Sequence, residues 1–172
     1  MDTSEPRFRT NLAVLCLGII AVDQTLKRWV DTTLPMLKRW PILGQETVMY
    51  SRVHNLGLIG DRFSVIPIGY IEPWTRYLPT ACFVLLLGFV LFRLNKGRKN
   101  ETFLSATLLA GSASNLFDSW RQHWVVDSLQ LYVGEGTYIP FNLADLAICV
   151  GASGLTLLLV YELFTVQELK KG

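Results

Sequence analysis

Three aspartates, Asp118, Asp127 and Asp145, fall within one short stretch of the chain, and two of them repeat a pattern. Asn115-Leu-Phe-Asp118 and Asn142-Leu-Ala-Asp145 each place an amide and a carboxyl three positions apart, on one face if the backbone is helical. Asn142 stands directly before an apolar run. The same spacing therefore also describes an N-cap with an acid at the third helical position, where it satisfies orphan amides and the helix dipole. Asp127, in Val125-Val126-Asp127, adds an acid between the two units. If the chain folds back to join Asp127 to Asp145, two carboxyls meet in a poorly hydrated site and share one proton, because like charges held close cannot both ionise. One can then take a proton from water while the other protonates or polarises a peptide carbonyl. That is peptide hydrolysis without serine, cysteine or metal. Asp23 and Lys27 are candidates on a related ground, since an ionisable side chain within an apolar helix is costly and needs a reason.

Other chemistries have less support. His54 and His123 are the only histidines, without partners at metal-ligand spacing and without a His-Glu-x-x-His unit. The chain has no Gly-x-Ser-x-Gly elbow, phosphate-binding loop or dinucleotide glycine fingerprint. A serine–lysine dyad of Ser51 or Ser64 with Lys27 has no spacing in its favour. No metal or cofactor is expected.

The elements that must position these acids are apolar. Of 172 residues, 51% are hydrophobic and only 17% charged, which leans away from a cytosolic domain. The net charge of +2 is too small and scattered for nucleic-acid binding. Four segments, about 12–30, 78–94, 103–118 and 143–164, come close to the roughly 20 residues that span hydrocarbon as a helix. Arg7 and Arg9 precede the first, but no small-residue cleavage site follows it, so it reads as a retained helix. Cys16, Cys82 and Cys149 lie far apart in apolar stretches and form neither a disulfide framework nor a zinc spacing.

Basic residues give the orientation. Arg93, Lys96, Arg98 and Lys99 crowd the short second connection, and Lys170 and Lys171 follow the fourth segment. The positive-inside rule puts both termini and that loop in the cytoplasm, leaving 31–76 and 119–141 outside. Residues 47–54, rich in Val, Tyr, Thr and Met, predict a strand, and 66–74 mixes apolar residues with Pro67, Gly69 and Pro73. Trp29, Trp40, Trp74, Trp120 and Trp124 fall near the expected membrane interfaces. The expectation is one membrane domain over 1–172, mainly α: a four-helix transmembrane bundle with a small extracytoplasmic cap over about 31–76.

These residues resemble, in order, the motifs of the lipoprotein signal peptidases, also called signal peptidase II. Val22-Asp23-Gln24-Thr25-Leu26-Lys27 is similar to the family's Asp-Gln-x-x-Lys, and Asn55 with Gly57 to the start of its Asn-x-Gly-Ala-Ala-Phe. The stretch from Gly111 to Asp118 resembles Gly-Gly-x-x-Gly-Asn-x-x-Asp-Arg and is followed by Val125-Val126-Asp127. Phe141-Asn142-Leu143-Ala144-Asp145 matches Phe-Asn-x-Ala-Asp completely. There are departures: Leu58 and Ile59 replace small alanines, Ser112 and Ser114 replace glycines, Ser119 replaces the arginine after Asp118, and Ser128 replaces a phenylalanine. Arg121 is near enough in sequence to stand in for the missing guanidinium.

The resemblance implies an aspartyl endopeptidase of the bacterial inner membrane that cuts prolipoproteins on the amino side of a diacylglyceryl-modified cysteine. It implies Asp127 and Asp145 as the catalytic pair, with Asn115, Asp118, Asn142 and Ala144 framing the site and Asp23, Lys27, Asn55 and Gly57 in support. It further implies a β-cradle and interfacial helix in the cap, an active site near the periplasmic face, and membrane lipid as the surroundings of a monomer. The departures leave room for a non-catalytic or substrate-restricted paralogue that binds lipoproteins or another membrane partner. Proton or ion passage is disfavoured, because the second segment and most of the fourth carry no polar path.

Overall fold

The computed structural model describes residues 4–42, 45–55, 74–95 and 98–169. The elements run α1 (Ser4–Thr33), β1 (Arg39–Ile42), β2 (Gln45–Asn55), α2 (Trp74–Asn95), α3 (Lys99–Gln122), β3 (Val125–Gly134), β4 (Thr137–Phe141) and α4 (Leu143–Leu169). A helix covers each of the four segments expected to be apolar spans. Each is longer than its apolar run, because polar turns such as 99–102 and 119–122 continue helices whose hydrophobic signal has stopped.

Among the described residues two helices, over Pro6–Thr33 and Leu143–Thr165, are long and apolar enough to cross a membrane, and Tyr77–Phe92 is a shorter apolar helix. The 23-residue stretch of α4 extends about 34 Å at about 1.5 Å per residue, against about 30 Å of hydrocarbon. Large apolar side chains are exposed along these helices, among them Leu17 and Val22 on α1, Leu85 and Phe92 on α2, and Leu157 and Phe164 on α4. Exposed apolar surface this continuous suits contact with lipid rather than water.

The central helix is α3, which packs against α1, α2 and α4. Two glycines set its closest approach to α4. A Cβ on Gly111 would lie 2.4 Å from the Ala144 carbonyl oxygen, and one on Gly151 would lie 2.6 Å from Leu108 Cβ. With no side chain at these points, the two backbones come near enough for Asn115 of α3 to reach Asp145 of α4.

The strands form one antiparallel sheet in the order β1-β2-β3-β4. The strand expected over 47–54 is β2, but the cap is not confined to 31–76. Half of the sheet comes from β3 and β4, between α3 and α4. The reason these strands escape a pattern search is physical. Residues 126–130 are buried on both faces, so β3 has no clean alternation. Both outer strands contain proline, Pro41 in β1 and Pro140 in β4, which argues against a strand in general but is tolerated at a sheet edge. Most of the expected interfacial helix, and Gly57 with it, lie outside the described residues.

The left-handed His123 (φ 72°) ends α3, its N–H donating to the Ser119 carbonyl at 3.1 Å, and β3 begins two residues later. In the β2–β3 register Val53 faces Asp127, His54 faces Val126 and Asn55 faces Val125. Folding the sheet back in this way carries Asp127 to the start of α4.

Candidate active site

The site is built outward from a buried lysine. Lys27 and Asp23 are one turn apart on α1, and Lys27 Nζ lies 2.8 Å from Asp23 Oδ2. The same ammonium lies 3.0 Å from Asp118 Oδ2 and donates to Asn115 Oδ1 at 2.7 Å, both on α3. Lys27 is 2% exposed, Asp23 0% and Asp118 1%, so the charges are compensated inside the protein rather than by water. Gln24 Nε2 adds a 3.0 Å bond to Asp118 Oδ1 and bonds to the Ser114 hydroxyl and carbonyl at 3.0 and 3.2 Å. Ser114 Oγ donates to Asp23 Oδ2 at 2.7 Å, and Ala144 N donates to Asp23 Oδ1 at 2.9 Å. Asp23 thus fixes the first turn of α4 from across the bundle.

From this knot the bonds run to the two expected catalytic acids. Because Asn115 Oδ1 accepts from Lys27, its amide nitrogen is turned towards Asp145 and donates to Oδ1 at 2.8 Å. Asn142 and Asp145 form a reciprocal cap: Asp145 N donates to Asn142 Oδ1 at 2.8 Å, and Asn142 N donates to Asp145 Oδ2 at 3.1 Å. Asn142 Nδ2 then donates to Asp127 Oδ1 at 3.1 Å, while Asn55 Nδ2 donates to Asp127 Oδ2 at 3.1 Å. Capping and site chemistry are therefore not alternatives here, since one asparagine does both.

Asp127 and Asp145 line the same groove of about 520 Å³, bounded by α2, α3 and α4 with the end of β2 above. Leu78, Cys82, Phe83 and Leu86 of α2 form an apolar wall, and Ser112, Asn115 and Ser119 of α3 form a more polar floor. Burial pushes the Asp127 carboxyl up to about 7, and the Asp145 charge adds to the rise against the hydrogen bonds from Asn55 and Asn142 and the Lys27 charge. A carboxyl poised near neutrality can take or give a proton at physiological pH. Among the described residues no group of His, Cys, Asp and Glu could hold a metal ion.

The expected residues thus separate into layers. Asp127, Asp145, Asn55 and Asn115 reach the groove. Asn142 is buried behind both acids, and Asp23, Lys27, Asp118 and the Ala144 amide form the support underneath. Arg121 does not replace the missing arginine in the groove. It bonds to Gln122 Oε1 at 2.8 Å and lines a separate cavity of about 230 Å³ with Gln24, Lys27 and Arg28. Sequence reasoning did not single out the α2 wall, which carries no polar residue to mark it, or Ser114, whose hydroxyl bridges Gln24 and Asp23. His123 and Trp124, the latter expected only near a membrane interface, also line the groove.

Comparison with known proteins shows the family. A profile of the signal peptidase (SPase) II family matches residues 15–164. The lipoprotein signal peptidase of Xylella fastidiosa strain 9a5c is 32% identical over 152 residues, covering 87% of each chain. That of Xanthomonas campestris pv. campestris strain 8004 is 33% identical over the same length and coverage, and that of Serratia proteamaculans strain 568 is 29% identical over 157 residues and 90% of each chain. Two structures of bacterial membrane enzymes solved by the in meso method, at 2.3 and 1.9 Å, share the fold with TM-scores of 0.72 and 0.71 at 16% identity. They cover 89% and 87% of this chain and 89% and 92% of their own. With the match running from the middle of α1 to near the end of α4, this chain is a protease of the signal peptidase II family.

Proposed function

We propose that this protein is an intramembrane aspartyl endopeptidase that removes the signal peptide of diacylglyceryl-modified prolipoproteins, cutting on the amino side of the lipidated cysteine. The observation that carries the reading is the pair Asp127 and Asp145 in one groove, each held by amide donors. All four helices span the bacterial inner membrane, with both termini and the α2–α3 connection cytoplasmic and the dyad near the opposite face. The distribution of basic residues and the exposed apolar helix surfaces support that orientation.

In the mechanism, a water between the carboxyls loses a proton to the ionised one as its oxygen attacks the scissile carbonyl carbon. The protonated carboxyl donates to the carbonyl oxygen. Collapse of the tetrahedral species breaks the C–N bond, with a proton delivered to the departing amine nitrogen. The α2 wall gives the apolar signal segment a surface to lie against, and the polar floor of α3 faces the peptide backbone. Ser119, shorter than an arginine and neutral, removes one fork of donors from that floor, which favours a restricted substrate range.

The test is cleavage of a diacylglyceryl-modified preprotein by the purified protein in lipid nanodiscs. Asp127→Asn and Asp145→Asn should each abolish processing while still inserting into the membrane. Turnover by either variant at the wild-type rate would overturn the dyad, and wild-type binding without turnover would make the chain a non-catalytic lipoprotein binder.

A further inference from the structure

One cluster of charged and aromatic groups is not used by the mechanism above. Asp31, at the end of α1, accepts two bonds from β2 on the same oxygen: Arg52 Nε at 2.9 Å and His54 Nε2 at 2.8 Å. Arg52 also donates through Nη1 to the Leu34 carbonyl at 3.3 Å and accepts through its own carbonyl from Leu37 N at 3.0 Å. The His54 ring stacks on Trp124, with centroids 4.7 Å apart and planes 18° apart. Trp124 lines the groove, and among the described residues its buried Nε1 has no hydrogen-bond partner, so the stack helps to hold the ring. His54 therefore ties the end of α1 to the entrance of β3.

The position in the chain gives this tie a consequence. His54 immediately precedes Asn55, whose amide donates to Asp127 Oδ2. Strand alternation puts the two side chains on opposite faces: His54 faces outward to Asp31 and Trp124, and Asn55 faces the dyad with Val53, the residue opposite Asp127. Fixing the ring on one face fixes the peptide that aims the amide on the other. Asn55 is the last residue of β2 and pairs with Val125 at the start of β3.

We propose that His54 is a positioning residue for the catalytic dyad, acting through Asn55: its bond to Asp31 and its stack on Trp124 hold the Asn55 amide on Asp127. The proposal rests on the peptidase reading, and it deepens it by assigning a role to a residue outside the Asp and Asn motifs.

Asn55 favours the ionised form of Asp127. Losing its bond raises the pKa of that carboxyl, so the limb of the pH–rate profile that reports Asp127 moves to higher pH. Among the described residues, the other groups facing Asp127 are Asp145 of α4, Lys27 of α1 and Asn142, and those facing His54 are Asp31 and Arg52. None of these is altered in the comparison.

The experiment measures kcat/KM against pH for wild type, His54→Ala, His54→Gln, Asn55→Ala and the His54→Ala/Asn55→Ala double variant. His54→Ala should lower kcat/KM about tenfold and shift the Asp127 limb upward in the same direction as Asn55→Ala. The double variant should shift no further than Asn55→Ala alone, and His54→Gln, which can still donate to Asp31, should recover part of the loss. A His54→Ala protein whose rate and stability fall without movement of the limb, or a double variant with additive shifts, overturns the proposal. Asp127 titration followed by its infrared carboxyl band, assigned by its disappearance in Asp127→Asn, carries the same test without turnover. If the wild type does not cleave, the peptidase reading fails. If that band in addition does not move in His54→Ala, the positioning role fails as well.

Discussion

Asn142 donates through Nδ2 to Asp127 Oδ1 at 3.1 Å, and the opposite end of the same amide accepts from Asp145 N at 2.8 Å. A single planar group therefore sets the position of one acid and the backbone that carries the other. Because the amide is fully buried, no water can replace it without rearrangement. Asn142→Ala should lower kcat/KM about a hundredfold or more, through misplacement of both carboxyls. Loss of the cap should cost about 1 kcal/mol of stability in addition. Initial cleavage rates and thermal unfolding in the same detergent separate the two effects. A rate loss below about threefold would show that Asn142 caps α4 without organising the dyad.

The parts of this site legible in the sequence are those where membrane chemistry makes polarity costly. Asp23, Lys27 and Asp145 stand out because they interrupt apolar helices, and each proves to be bonded within the protein. The convergence of Asp127 on Asp145 was not legible, because it depends on a sheet whose later strands carry no clean signal. In β3 burial on both faces removes alternation, and in β4 Pro140 disguises an edge strand. The resemblance to a family supplied the pairing that spacing could not. His54 was missed for a different reason, since its partners Asp31 and Trp124 are distant in sequence and belong to no motif.

The bonding of Lys27 implies a large asymmetry between losing one charge and losing two. Its ammonium bridges Asp23 and Asp118, all three at most 2% exposed. Lys27→Met leaves two buried carboxylates without their cation and should destabilise by about 3–5 kcal/mol. Adding Asp23→Asn to Lys27→Met removes one of the stranded charges and should recover part of the loss. Folded yield after membrane extraction and the unfolding midpoint are the readouts. Equal stability of the single and double variants would mean that the triad is not coupled.

Gly111 makes a prediction about geometry. An alanine there would place its methyl group 2.4 Å from the Ala144 carbonyl oxygen, a backbone atom that cannot swing aside. Gly111→Ala should push α3 from α4, cost about 1–3 kcal/mol and weaken the Asn115–Asp145 bond that spans the two helices. Gly18→Ala, with nothing within 4 Å of the added methyl, is the matched control and should retain activity. Activity loss in both variants would point to a general intolerance of the helices instead.

The raised pKa of Asp127 ties stability to pH in a definite direction. Its carboxyl keeps a proton up to about 7 in the fold, against an ordinary 3.8. Between those values the native state binds more protons than the unfolded chain, so stability falls as pH rises through this window and levels off above about 7. Asn at this position does not titrate and still fills the space. The unfolding midpoint of Asp127→Asn should therefore exceed that of wild type by more at pH 8 than at pH 5. The difference between the two pH values is worth at most about 3 kcal/mol at about 1.4 kcal/mol per pKa unit. Groups that titrate alike in both chains cancel in this comparison. A stability gap that is the same at both pH values would place the Asp127 pKa near its ordinary range and remove the buried, proton-sharing carboxyl from the mechanism. A gap that widens with pH would show that the fold holds the Asp127 carboxyl against its solvation preference, and that its replacement relieves that cost.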